Sequence, residues 1–240
     1  MPTVKVKIGF VGSSVPSSPH HESFRAFIPK DIDFTFVQEA NADTSPDDDP
    51  RKVENLVEQL SALVKTNGWN GVIVSGAPKE AFNPTMWNQL TSALNIPVAT
   101  AMTASVAALK TFSAKRVLLM TPVDDRLKKM YRDFLAGSGI AAVYPAQTLA
   151  KRTDAVKLTP ADVESMTRKT LAECADVDAI YFQGALLDPL KVLEKLETDL
   201  HIPIVASNPA MLWFVLSKLG LRYEIAGYGK LLSSWPSLPA

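Results

Sequence analysis

Three histidines and one cysteine are all that this chain of 240 residues offers for proton transfer or nucleophilic attack near neutral pH. Two of the histidines are adjacent. His20 and His21 stand in SSVPSSPHHESF, 13–24, with Glu22 directly behind them. A histidine titrates near ~6.5 in water, so it can give or take a proton at physiological pH, and a neighbouring carboxylate can orient its ring. His20, His21 and Glu22 are therefore candidate catalytic residues, against the plainer reading of a solvated loop that holds a histidine pair. Cys174 lies in TLAECADVDA, late in an apolar helical stretch. A thiol there reads as a small buried hydrophobe, not a nucleophile.

Other polar residues have competing structural uses. Lys79 and Glu80 follow the turn in GVIVSGAPKE, 71–80; they either face a site or charge the start of a helix. Asp188, ahead of Pro189, has the type and place of a helix N-cap, and Asp124 and Asp125 read as the cap of an earlier helix. The acidic run DDDP, 47–50, reads as a helix-entry loop, because no histidine or further carboxylate is spaced to complete a metal site. No metal and no cofactor are expected. Trp213 and Phe214 belong to the core.

Two stretches stand out for what they lack. GWNGVIVSGA, 68–77, matches DVDAIYFQGA, 176–185, and each is an apolar strand ending in a Gly-Ala pair. Neither copy carries a reactive side chain. What such turns do offer is backbone N–H groups, at Gly76, Ala77, Gly184 and Ala185, with Pro78 contributing none. N–H groups gathered in a turn can hold an anion, and one such donor is worth roughly 3 kcal/mol to a developing oxyanion.

These turns need elements to position them. Short apolar runs at 6–11, 34–37, 71–74, 117–120, 141–144, 179–182 and 202–205 alternate with helical stretches at 52–64, 85–93, 105–111, 125–135, 159–175, 189–200 and 211–219. Continuous apolar strands separated by helices predict parallel sheets covered on both faces. The repeat extends further: ALNIPVATAMTASVAAL, 93–109, matches DLHIPIVASNPAMLWFVL, 199–216, and KVKIGFVGSS, 5–14, lies beside AKRVLLMTPV, 114–123. Two copies at this period predict two similar α/β domains. Ligands of such sheets bind beyond the carboxyl ends of strands, which places Ser13, Ser14, Gly76, Ala77, Thr121, Val123, Gly184 and Ala185 around one cleft. The expected division is 1–100 with 208–240, whose last helix returns to the first domain, and 101–207.

Composition narrows the partners. Lys+Arg and Asp+Glu both number 25, so no basic excess points to nucleic acid. No apolar run reaches the ~18 residues that span a bilayer, and the start lacks a signal-peptide pattern, so a cytoplasmic address without membrane contact is expected. A homo-oligomer is compatible with the sequence.

The segments IPVATAMTASVAALKTFSAKRVLLMTPV (96–123), DAIYFQGALLDPL (178–190), IPIVASNPAMLWFVL (202–216) and GYGKLL (227–232) make the chain resemble the aspartate/glutamate/hydantoin racemase superfamily, in its arylmalonate decarboxylase and maleate isomerase branch. The resemblance implies two flavodoxin-like α/β domains related by a pseudo-two-fold axis, with the site between them. It also implies a catalytic cysteine at the end of the third strand of each half in racemases, and only the second of these in the decarboxylases. Those positions are Gly76 and Gly184 here, and glycine can neither donate, accept nor attack through a side chain. The Thr-Ser that follows the first position in the decarboxylase is Ala77-Pro78, and a family tyrosine is replaced by Val123. VPSSP, 15–19, is similar to a Pro-Ser-Ser-Asn substrate loop, which points to Ser17 and Ser18, or to Ser13 and Ser14 in another register. Asn208 matches a Ser-Ser-Asn that faces the cleft.

The resulting expectation is a lyase or isomerase, decarboxylase-like and independent of cysteine. It would act on a small carboxylate or carbonyl substrate through an enediolate held by backbone N–H groups. The alternative is a relative that kept the cleft for binding and lost the chemistry.

Overall fold

The structure, a computed structural model, describes residues 5–18, 21–40, 50–144, 152–174 and 176–239. The first half runs β1 (Val6–Gly12), α1 (Glu22–Arg25), β2 (Ile32–Gln38), α2 (Pro50–Asn67), β3 (Gly71–Val74), α3 (Ala77–Phe82), α4 (Met86–Leu94), β4 (Val98–Thr100) and α5 (Ala101–Thr111). The second runs β5 (Arg116–Met120), α6 (Asp125–Gly137), β6 (Ala141–Val143), α7 (Pro160–Glu173), β7 (Ala179–Phe182), α8 (Leu193–Leu200), β8 (Ile204–Ala206) and α9 (Ser207–Lys218), with a short α10 (Lys230–Ser234) after it.

Both sheets are parallel. Their strand orders, β2-β1-β3-β4 and β6-β5-β7-β8, are the same order repeated. The fold is thus α/β with two similar parallel-sheet domains, as the internal repeat predicts. The central strands GVIV and AIYF are buried at every position, as strands covered on both faces must be.

Helices α5 and α9 hold the halves together. They pack on each other; α9 also lies against β3 and β4 of the first sheet, and α5 against β8 of the second. Both helices are apolar on nearly all sides, which suits interior elements. Small residues on α5 (Ala101, Ala104, Ala107, Ala108) let the neighbouring backbone come close. One core cluster therefore runs through both halves, and a smaller one fills the outer face of the first sheet beneath α2 and α4. Trp213 and Phe214 lie in the shared core.

The largest differences from the sequence reading are at three helix starts. α5 and α9 begin at Ala101 and Ser207, four residues earlier than the pattern predicts, because each strand passes into its helix with no loop between. α8 begins at Leu193, not Pro189. Asp188 accordingly caps a turn, with Oδ1 accepting from the Leu190 N–H at 3.0 Å, and does not cap α8. α1 and α3 are too short for periodicity to reveal. Cys174 is the half-buried C-cap of α7. The acidic run 47–49 lies outside the described residues, among which no helix is long and apolar enough to cross a membrane.

Candidate active site

The carboxyl ends of β1, β3, β5 and β7 converge on a cleft of about 240 Å³. Ser13 and Ser14 follow β1; Ser75, Gly76, Ala77 and Pro78 follow β3; Pro122 and Val123 follow β5; Gln183, Gly184, Ala185 and Leu186 follow β7. Ala101 at the start of α5 and Ser207 and Asn208 at the start of α9 complete the rim, with Phe10, Tyr131 and Met211 as apolar wall.

The two turns favour glycine. Gly76 has φ 112° and Gly184 φ 89°, a region that residues with a Cβ rarely occupy. A Cβ added at Gly184 would meet nothing within 4 Å, whereas one at Gly76 would touch the Lys79 stem at 3.6 Å. The Gly184 N–H is engaged by Ser207 Oγ at 3.4 Å. The N–H groups of Gly76, Ala77 and Ala185 meet no acceptor among the described residues.

His21 lines the cleft and is 5% exposed. Its ring stacks on Phe36 at 4.6 Å and meets the Phe10 edge at 5.3 Å. Nδ1 lies 3.3 Å from the Pro16 carbonyl oxygen, an acceptor only, so Nδ1 carries the proton in this contact. Arg25, stacked on Phe36 at 4.0 Å, donates to the same oxygen at 2.9 Å and braces the loop.

Other candidates stand elsewhere. Glu22 is exposed on α1 and absent from the cleft wall, because the helix turns its carboxylate outward, so it does not orient His21 in the cleft. His20 lies outside the described residues. Ser17 is exposed and Ser18 half-buried in a turn closed by Ser18 N–H to the Val15 carbonyl at 2.9 Å, which lifts both off the wall. Thr121 is buried behind the wall, where its hydroxyl donates to Gln183 Oε1 at 3.0 Å.

The charges after β3 are used structurally. Glu80 is fully buried and caps α5, accepting from the Met102 and Thr103 N–H groups and from the Thr100 and Thr103 hydroxyls. Burial pushes its carboxyl up, and these four donors pull against that. Lys79 forms an ion pair with Glu39, and burial draws its amine down to about 8. Neither residue lines the cleft.

The cleft wall carries no formally charged side chain; His21 and Tyr131 are its titratable groups among the described residues. Reasoning from reactive residue types missed Gln183, Ser75, Ser207 and Tyr131. Strand alternation could have found Gln183 and Ser75, each the residue before a Gly-Ala turn.

Matched against known families, residues 42–232 fit the profile of the arylmalonate decarboxylases. The chain belongs to the arylmalonate decarboxylase family. It is 25% identical over 178 residues, 73% of either chain, to an arylmalonate decarboxylase of Bordetella bronchiseptica. A crystal structure of arylmalonate decarboxylase superposes with a TM-score of 0.77 at 21% identity, covering 95% of this chain and 99% of that one. A variant of the Pseudomonas putida S16 maleate isomerase, solved with maleate, gives 0.75 at 18% identity over 95% and 97%. At these identities the two structures establish the fold, and the profile establishes membership of the arylmalonate decarboxylase family.

Proposed function

We propose that this family member is a lyase or isomerase that works without a thiol on a small carboxylate or carbonyl substrate, decarboxylation being the favoured reaction. The observation that carries the reading is His21, a group able to transfer a proton at neutral pH, set in the wall of a cleft otherwise built from backbone, hydroxyl, amide and apolar groups. Family membership supports the reaction class, and the maleate bound by the isomerase neighbour is a small dicarboxylate.

In this reading one substrate carboxylate lies against the N–H groups of Gly76, Ala77 and Ala185. The leaving carboxylate faces the apolar part of the wall, Phe10, Pro122, Val123 and Met211, where poor solvation of its charge favours departure as neutral CO2. The C–C bond breaks, and its electron pair delocalises into the remaining carboxylate as an enediolate. Preorganised N–H groups stabilise that developing charge by up to roughly 3 kcal/mol each. Imidazolium at His21 then delivers a proton to the α-carbon and is reprotonated from water. Thiol addition has no local nucleophile, since the chain's single cysteine sits at the end of α7 away from the cleft.

The test is phenylmalonate in D2O, following phenylacetate release and deuterium at the α-carbon. His21→Gln should lower kcat by about a hundredfold or more while substrate still binds, and iodoacetamide treatment of the unaltered protein should leave turnover in place. Equal turnover by His21→Gln removes His21 from the mechanism. Saturable binding of arylmalonates and maleate with no turnover of either favours the second reading, a binding protein, which the two glycines at the family's cysteine positions already suit.

A further inference from the structure

We propose that Gln183 is the substrate-reading residue of the cleft: its amide N–H groups take a carboxylate oxygen of the ligand and fix which way round the ligand lies. This deepens the functional reading above, and rests on it only in taking the ligand to be a carboxylate.

The placement follows from strand register. β5 and β7 pair Leu119 with Tyr181 and Met120 with Phe182, so Thr121 and Gln183 come next, side by side. Side chains alternate along a strand, so Gln183 points to the same side as Tyr181. The Tyr181 hydroxyl meets Ser207 Oγ at 3.2 Å and Met102 Sδ at 3.6 Å, on α9 and α5. Gln183, one step nearer the strand's carboxyl end, therefore looks into the cleft, and it lines it.

The amide is held firmly. The Gln183 N–H donates to the Met120 carbonyl at 3.0 Å, and its Oε1 accepts the Thr121 hydroxyl at 3.0 Å. Thr121 is itself 1% exposed and Gln183 only 4%. Tying Oε1 to Thr121 turns Nε2 away from it, and the N–H groups of Nε2 meet no acceptor among the described residues. Nε2 is not among the sealed-in side-chain atoms that lack a partner, so its donors open onto the cleft, where a bound acceptor can take them. A carboxylate oxygen satisfies them best, since a charged acceptor strengthens the bond.

The other half shows that this is no by-product of the repeat. Ser75 holds the place of Gln183: its N–H donates to the Val11 carbonyl at 2.9 Å, as Gln183's does to Met120. The partner of Thr121 there is Gly12, where an added Cβ would meet Ser75 Oγ at 2.1 Å. One wall thus ends in a short hydroxyl with no side chain beside it, the other in a long amide pinned by a threonine. The pseudo-two-fold symmetry is broken where the ligand sits, and a ligand with unlike ends has one preferred orientation.

The experiment measures binding, so it stands whether or not turnover is found. Phenylmalonate, phenylacetate and the uncharged methyl phenylacetate are titrated by ligand-observed NMR into the unaltered protein, Gln183→Glu and Gln183→Met, with folding checked by thermal unfolding. Gln183→Glu keeps an acceptor for Thr121 and replaces the donors by a negative oxygen; it should weaken both carboxylates by about tenfold or more. Gln183→Met removes the donors at similar volume and should weaken them less. Methyl phenylacetate should respond within about threefold to either change, since it carries no charge to read. If Gln183→Glu cannot fold, Gln183→Met decides alone: weaker carboxylate binding with the ester unaffected supports the proposal. Unchanged carboxylate affinities, equal weakening of acid and ester, or no saturable carboxylate binding to the unaltered protein each overturn it. A carboxylate loss without any decarboxylation in any variant leaves Gln183 in place and overturns only the enzymatic reading.

Discussion

Gly184 and Gly229 share a positive φ, 89° and 85°, but differ in the space around them. At Gly184 a Cβ meets open space, so Gly184→Ala should cost only the backbone strain, about 1 kcal/mol in chemical denaturation. At Gly229 the Cβ would sit 2.1 Å from Leu193 Cδ2 and 2.7 Å from Glu197 Oε2, and Gly229→Ala should cost about 3 kcal/mol or more. Similar losses from the two would mean that strain, not crowding, decides. The open space also makes Gly184→Cys a sound test of the turn. A thiol there should titrate below the ~8.5 of a free cysteine, read by thiolate absorbance against the protein's own Cys174, if the neighbouring N–H groups create a positive site. Lys79 sets a third expectation. Burial lowers its pKa from 10.5 to about 8, so between those values the unfolded chain binds more protons than the native one. Stability contributed by this residue must then rise with pH across that window. With its side chain 25% exposed and Glu39 in contact, the unaltered protein should gain about 1 kcal/mol relative to Lys79→Met between pH ~8 and ~10. A flat or falling difference contradicts the assigned burial.

Among the elements, the legible ones were those whose signals are local. Thr159, Pro160 and Asp162 announce α7, and the structure closes the capping box there, with Thr159 and Asp162 bonding each other's backbone N–H. Asp124 caps α6 as its position suggests, accepting from the Leu127 N–H at 2.9 Å. Thr159→Ala should therefore cost about 1 kcal/mol in stability, measured by urea unfolding. The start of α5 was not legible, because its cap is supplied from 21 residues upstream by Glu80, across the fold from Ala101. No local pattern encodes a carboxylate arriving from another helix. Glu80→Ala leaves two N–H groups and two hydroxyls without their acceptor in a dry interior and should cost about 3 kcal/mol or more, well above the loss at Thr159. Equal losses would show that solvent reaches the start of α5. Gln183 escaped notice for a different reason: a glutamine carries no reactive signature, and only register beside Thr121 gives its amide a direction.

For the whole molecule, the repeat was legible because both halves kept the same strand endings, Gly-Ala turns and Ile-Pro entries, and these are backbone requirements that outlast side-chain change. We propose that the two domains divide near residues 100 and 207, α5 going with the second domain and 208–240 completing the first. Because α9 covers β3 and β4, a fragment ending at residue 112 would expose an apolar sheet face. It should fail to give a cooperative thermal transition alone, and a cooperatively folding fragment would overturn that division. The way α5 and α9 spring from strand ends without a loop and pack within one shared core has a further consequence, for the kinetics of access. Neither half has a slack connector about which it could swing from the other, so opening and closing of whole domains, a microsecond-to-millisecond motion, is not the natural route into the cleft. The expected entry is past the segment 13–18, whose Ser13 and Ser14 stand on the cleft wall and which is fastened at the Pro16 carbonyl by His21 and Arg25. Loop motions of that kind run in nanoseconds to microseconds. Ligand arrival should then be fast and insensitive to solvent viscosity on the domain scale, and Arg25→Ala, which cuts one fastening, should change the association rate more than the equilibrium affinity.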